Sequence, residues 1–124
     1  MFNNKTILIT GGTGTFGTNF VKYIIKKKIK VKKIIIFSRD EFKQNKMKNH
    51  FTNNKIVNLR YFIGDIRDKE RLRMALNDVD IIIHAAALKH VPISEYNPFE
   101  TIKTNVLGSQ NLIEIALEKN IDKF

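Results

Sequence analysis

The sequence predicts an α/β chain in the order βαβαβαβα, with a doubly wound parallel sheet truncated before strand five. Three observations predict this. Short, continuous apolar runs recur along the chain, as in Ile7-Leu-Ile9, Ile34-Ile-Ile-Phe37 and Ile81-Ile-Ile83. Solid runs of that kind suit parallel strands covered on both faces. Between them lie segments whose apolar residues recur at helical spacing. Finally, the first run ends abruptly in glycines and opens directly into such a segment, Ile7-Leu-Ile-Thr-Gly-Gly-Thr-Gly-Thr-Phe-Gly17.

Taken in order, Ile7 to Ile9 is the first strand, and Phe16, Phe20, Val21, Ile24 and Ile25 mark the first helix. A lysine-rich connection leads to a second strand, Lys33 to Phe37, and then to a short helix from Asp40 to Phe51. Thr52 to Lys55 is a loop, and Asn58 to Ile63 is a third strand ending at Gly64-Asp65. Leu72, Ala75 and Leu76 define a helix from Asp68 to Leu76, with Asp68 as its N-cap. The fourth strand is Asp80 to His84. Past a loop around Pro92 and Pro98, a long helix is expected from about Phe99 to Lys119, with Ile102, Val106, Leu112, Ile113, Ala116 and Leu117 on its apolar face. Asp122 to Phe124 reads as the approach to a fifth strand. Right-handed crossovers then place helices on both faces and bring all four strand ends to one crevice, where ligands of such sheets bind.

At 124 residues this is at most one domain, spanning 1–124, and it is short for an enzyme that must hold both a cofactor and a substrate. The absence of cysteine rules out a disulfide framework and agrees with a reducing, cytoplasmic setting. No apolar run approaches the roughly 18 residues needed to cross a bilayer, and the first five residues leave no room for a signal peptide. A membrane partner is therefore not expected. Much of the net charge of +10 sits between Lys22 and Lys33. That run lacks the interleaved aromatic residues of single-strand binders. It reads as a solvated helix end, where cations are favoured, so nucleic acid is not an expected partner.

Gly12, Gly14 and Gly17 fit G-x-G-x-x-G, and Thr10-Gly-x-x-Gly-x-x-Gly17 fits a wider form of it. One glycine lets the backbone turn, one admits a pyrophosphate, and one lets the helix pack close to the strand. The phosphates then lie at the positive end of the helix. This is the turn of a Rossmann-like dinucleotide site, with Gly11, Thr13, Gly14, Thr15, Phe16 and Gly17 as candidate contacts. The tip of the second strand decides which dinucleotide. An acidic residue there would bond the ribose 2′-hydroxyl of NAD. Here Ser38 comes first and Arg39 second, a hydroxyl and a bidentate guanidinium that suit the 2′-phosphate of NADP. NAD is the less favoured cofactor, since it requires Asp40 to turn inward; Arg39 could also simply begin the next helix in solvent.

The chain resembles the N-terminal half of an extended short-chain dehydrogenase/reductase. The matching stretches are Thr10 to Gly17, Gly64-Asp-Ile-Arg-Asp68, Asp80-Ile-Ile-Ile-His-Ala-Ala-Ala87 and Asn105 to Glu114. The resemblance implies that Asp65 and Ile66 border the adenine, that Ala85, Ala86 and Ala87 line the cofactor, and that Asn105 lies beside the active site. Two stretches are narrower: Phe37-Ser-Arg-Asp-Glu41 with Lys43 and Gln44, and Ala86-Ala-Leu-Lys-His-Val-Pro92 followed by Glu95-Tyr-Asn-Pro98. These resemble the C5-inverting UDP-N-acetylglucosamine 4,6-dehydratases of pseudaminic acid and capsule sugar pathways. That likeness implies an NADP-dependent lyase that oxidises the sugar at C4, eliminates water across C5–C6 and returns the hydride to C6. Asp40 and Lys43 join the cofactor contacts, and Lys89 and His90 become the candidate contacts to the UDP-sugar substrate. It also implies a homo-oligomer for the full-length enzyme.

The family's acid–base residues, including Tyr-x-x-x-Lys after a fifth strand, are expected beyond Phe124. This chain therefore carries no expected catalytic residue and alone should show little turnover. Tyr23 and Lys27 match the spacing but sit on the first helix, where i,i+4 neighbours need no catalytic role. His84 reads as a hydrogen-bonded structural residue, His50 as a surface one, and no metal site is expected from three scattered histidines. Other readings stay open: an epimerase or reductase of the same fold, or a non-catalytic NADP-binding module.

Overall fold

The computed structural model describes residues 2–85, 110–119 and 121. Its elements are β1 (Thr6–Thr10), α1 (Thr15–Lys26), β2 (Lys33–Ser38), α2 (Glu41–His50), β3 (Leu59–Ile63), α3 (Lys69–Ala75) and β4 (Ile81–His84). A further helix, α4, covers 110–118. The four strands form one parallel sheet in the order β3-β2-β1-β4. The expected alternation and fold class are both present, and strand boundaries shift by a residue or two. Expected features from Ala86 to Ser109 and from Asp122 onward lie outside the described residues.

Period-two alternation explains why the sheet is covered on both sides. Ile7 and Ile9 of β1, with Ile34 and Ile36 of β2, pack against Val21 and Ile24 of α1 and Met47 of α2. Leu8, Ile35 and Phe37 point the other way, onto Leu72 and Ala75 of α3 and Leu112, Ile115 and Ala116 of α4. Two layers of helix thus sandwich the sheet, and every residue of β1 is buried.

The helix faces differ in detail from the spacing argument. In α1 the core face is Gly17, Val21 and Ile24. Phe16 is exposed and stacks on Phe20, which meets Phe2 edge-on. In α4 the buried face is Leu112, Ile115 and Ala116, whereas Ile113 and Leu117 turn to solvent. Ile102 and Val106 fall outside the described residues. The α1 terminus closes with Lys28 N–H to the Ile25 carbonyl and Ile29 N–H to the Ile24 carbonyl, each 3.1 Å. Those two bonds form a Schellman closure, and Lys28 occupies its left-handed position at φ 52°. Among the described residues, no helix is long and apolar enough to cross a membrane.

Candidate functional site

Because all four strands run in parallel, their carboxyl ends share one edge of the sheet. The glycine turn leaves β1 there. Gly11 makes the reversal, with φ 64° and its N–H donating to the Phe37 carbonyl at 2.8 Å. Only a residue without Cβ adopts that conformation freely. A Cβ on Gly17 would sit 1.9 Å from the Gly12 carbonyl oxygen, so helix and turn touch backbone to backbone. A Cβ on Gly14 would meet only the Gly11 oxygen, at an ordinary 3.6 Å. Gly14 is the N-cap of α1, with no side-chain hydrogen bond closing the helix and no acidic residue in its first turn. The open, positive end of a twelve-residue helix therefore faces the crevice. Gly11 thus makes the turn, Gly17 allows the close helix packing, and Gly14 leaves room beside the helix start.

At the tip of β2, Ser38 is half-buried and Arg39 is exposed. Asp40 is exposed. It is the N-cap of α2, where its carboxylate accepts the Lys43 N–H at 3.0 Å. Lys43 lies in the first turn of α2, on the surface. Gln44, only 4% exposed, reaches back from α2. Its Nε2 donates to Ser38 Oγ at 2.9 Å, to the Ser38 carbonyl at 3.2 Å and to the Phe62 carbonyl at 3.1 Å.

At the tip of β3, Gly64 packs so tightly under Phe37 that a Cβ would lie 2.7 Å from the ring. Asp65 follows, and Arg67 engages its carboxylate through Nε and Nη2, with the closest contact at 2.8 Å. Arg39 approaches the same carboxylate at 3.5 Å. The Arg67 hydrogen bond, opposed by partial burial, holds the Asp65 carboxyl below the usual carboxylate range. Arg39 thus joins a shared charge network rather than merely starting a helix. Ile66 is buried in the core, and Asn111 of α4 donates to its carbonyl at 3.0 Å. Asp68 caps α3 as expected, accepting the Arg71 N–H at 3.2 Å.

At the tip of β4, His84 Nδ1 lies 2.6 Å from Thr10 Oγ1 across the strand pair, and burial depresses its pKa. The expectation of a hydrogen-bonded structural histidine holds. Ala85 is buried against the α1 side of the sheet. Ala86, Ala87, Lys89, His90 and Asn105 lie outside the described residues. Tyr23 is exposed in the C-terminal half of α1, far along the helix from the glycine turn.

The structure therefore brings the glycine turn, Ser38, Arg39, Asp65, Ile66 and Ala85 to one edge. Sequence reasoning gave no separate role to Gln44, Arg67 or Asn111. Gln44 had a readable signal, since it shares a face with Met47 at i,i+3 on an otherwise polar helix. Arg67 had one too: an aspartate bonding the N–H two residues on, here Arg67 N–H at 2.9 Å, is a common local turn. Asn111 had none, because its partners are 44 and 45 residues away.

A family model described as polysaccharide biosynthesis protein matches residues 7–124. The inverting UDP-N-acetylglucosamine 4,6-dehydratase of Campylobacter jejuni is 56% identical over 99% of this chain and 36% of its own length. The UDP-glucose 4-epimerase of Rickettsia prowazekii is 44% identical, over 99% of this chain and 36% of its own. Among solved structures, the dTDP-glucose 4,6-dehydratase of Streptomyces venezuelae, determined with NAD bound, superposes with a TM-score of 0.79 at 28% identity, covering 94% of this chain and 37% of that one. The chain thus spans about a third of the length of the relatives it matches. The dehydrogenase/reductase resemblance read from the motifs holds. On motif, sheet order and relatives together, the chain belongs to the polysaccharide biosynthesis protein family.

Proposed function

We propose that this chain is the NADP-binding portion of a nucleotide-sugar 4,6-dehydratase acting on UDP-N-acetylglucosamine. The observation that carries this reading is the similarity to the inverting dehydratase along nearly the whole chain. The geometry fits a dinucleotide: the turn is closed by backbone contact at Gly17, yet it is open at Gly14, beside the uncapped start of α1. Gly11, Thr13, Gly14, Thr15, Phe16 and Gly17 form the pyrophosphate seat. Ser38, Arg39 and Lys43 face the 2′-phosphate, while Asp65 and Ile66 border the adenine. Asp40 supports NADP over NAD, because its carboxylate is already engaged in capping α2. It contributes to the cofactor site by fixing the start of the helix that carries Lys43.

The chemistry NADP would supply here is reversible hydride transfer, from C4 of the sugar and back to C6, on either side of the loss of water across C5–C6. This chain's part is orientation. Ala85 is the cofactor contact of that segment within the described residues, and the contacts that the resemblance implies for Ala86, Ala87, Lys89, His90 and Asn105 fall outside them. The acid–base groups belong to the remainder of the enzyme, so residues 1–124 alone are expected to show no turnover.

The test is to incubate the full-length protein with UDP-N-acetylglucosamine and follow the product by mass spectrometry. Loss of one water with no net consumption of cofactor is the expected result. A second reading, a 4-epimerase, is favoured by the Rickettsia relative. Interconversion of UDP-glucose with its C4 epimer, and no loss of water from either sugar, would replace the dehydratase reading with that one.

A further inference from the structure

We infer that Gln44 is a positioning residue that sets the cofactor preference of the site, by donating into the Ser38 hydroxyl so that its one hydrogen is left for the cofactor. The inference rests on the NADP reading above and concerns how that preference arises. Among the described residues, Gln44 is one of three buried polar side chains, beside Thr6 and Thr10. A buried amide at the head of a surface helix calls for an explanation, and its bonds supply one.

Two of its three partners, the carbonyls of Ser38 and Phe62, can only accept. They fix the orientation of the amide, so that its nitrogen rather than its oxygen faces the strand tips. With two hydrogens for three acceptors, the 2.9 Å contact to Ser38 Oγ shares one hydrogen with the Ser38 carbonyl and is a donation into the hydroxyl. The amide nitrogen cannot accept, so the hydrogen of Ser38 is left for another acceptor, beside one open lone pair. Ser38 lies at the end of β2, next to Arg39, where the ribose of the dinucleotide is expected. That hydrogen gains most from an anionic oxygen, because hydrogen bonds to ionised acceptors are roughly twice as strong as neutral ones. A 2′-hydroxyl, itself a donor and acceptor, gains less. Gln44 need not touch the cofactor to favour the phosphorylated one.

The Asp40 cap supports this arrangement. It starts α2 at Glu41, which places Gln44 one turn on, at the height of Ser38 and Phe62. Ser38 and Phe62 belong to neighbouring strands, so one side chain also holds the β2 and β3 tips in register.

The experiment measures dissociation constants for NADP and NAD on the full-length protein and on Gln44→Met, Ser38→Ala and the double variant. Gln44→Met keeps the length and burial of the side chain but cannot donate. The expected result is a loss of about tenfold in NADP affinity for each single variant, with NAD affinity changed less than about twofold. In the Ser38→Ala background, Gln44→Met should cost nothing further, because its effect passes through the hydroxyl. Equal loss of NADP and NAD in Gln44→Met, or additive losses in the double variant, would overturn the inference and leave Gln44 a packing residue. Ser38→Ala lies at a half-buried position that tolerates the change, so an unaltered NADP-to-NAD ratio there overturns it even if Gln44→Met does not fold. If the unsubstituted protein binds NAD as tightly as NADP, the cofactor reading itself fails, and this inference with it.

Discussion

At the scale of single residues, the glycines of the turn divide into those the fold needs and those the ligand needs. Gly17 has no room for a methyl group, since the Gly12 carbonyl occupies the space. Gly17→Ala should therefore lower stability by about 3 kcal/mol, at the upper end of overpacking costs, and abolish cofactor binding with it. Gly14→Ala meets only ordinary contacts. It should leave the urea midpoint nearly unchanged and still weaken NADP binding, because the added methyl group lies where phosphate approaches. Unfolding curves and cofactor titrations on the two variants separate these effects. His84 gives a second prediction. Burial holds its pKa below the ordinary histidine value. Below about pH 6.5 the unfolded chain therefore binds more protons than the folded one, and stability falls as pH drops toward the lower folded value. His84→Gln should flatten that slope in unfolding midpoints measured between about pH 7 and pH 5. The glycines were readable because local geometry constrains them, and His84 because it closes an apolar strand, although its partner Thr10 is 74 residues away. The approach of Arg39 to Asp65 was not readable, since those two residues meet only where the ends of β2 and β3 come together in the folded sheet.

At the scale of elements, helix ends carry more of the sequence signal than helix faces do. Asp40 and Asp68 both cap the helices that follow them, and an aspartate three residues before the N–H it accepts is a local pattern. The closure of α1 is less favourable. Lys28 takes the left-handed position that glycine usually fills, at φ 52°. Lys28→Gly should raise stability by about 1 kcal/mol, seen as a higher urea midpoint with unchanged slope. The face of α4 was misread in part because Ile113 and Leu117 share a helical stripe with Leu112 and Ala116 in projection. Periodicity locates a stripe about 100° wide, and the packing partner selects its centre. Here the α3 side of the sheet selects Leu112, Ile115 and Ala116.

At the scale of the whole molecule, the sheet order β3-β2-β1-β4 makes β1 a strand paired on both sides and buried along its length. Its amides should exchange slowest with deuterium, and those of β3, at the sheet's edge with exposed Arg60 and Ile63, should exchange faster. Equal protection across the two strands would contradict this hierarchy. The alternation of strands and helices and the parallel sheet were legible, whereas the spatial order of the strands is a property of the folded sheet. The contact between Gly17 and Gly12 has a broader consequence. The gap between sheet and helix is set there by backbone alone, without any side chain that could be re-sized. A phosphate seat at this turn, as proposed, would thus be insulated from drift elsewhere in the molecule, a fixed mount whose spacing no side-chain substitution can retune.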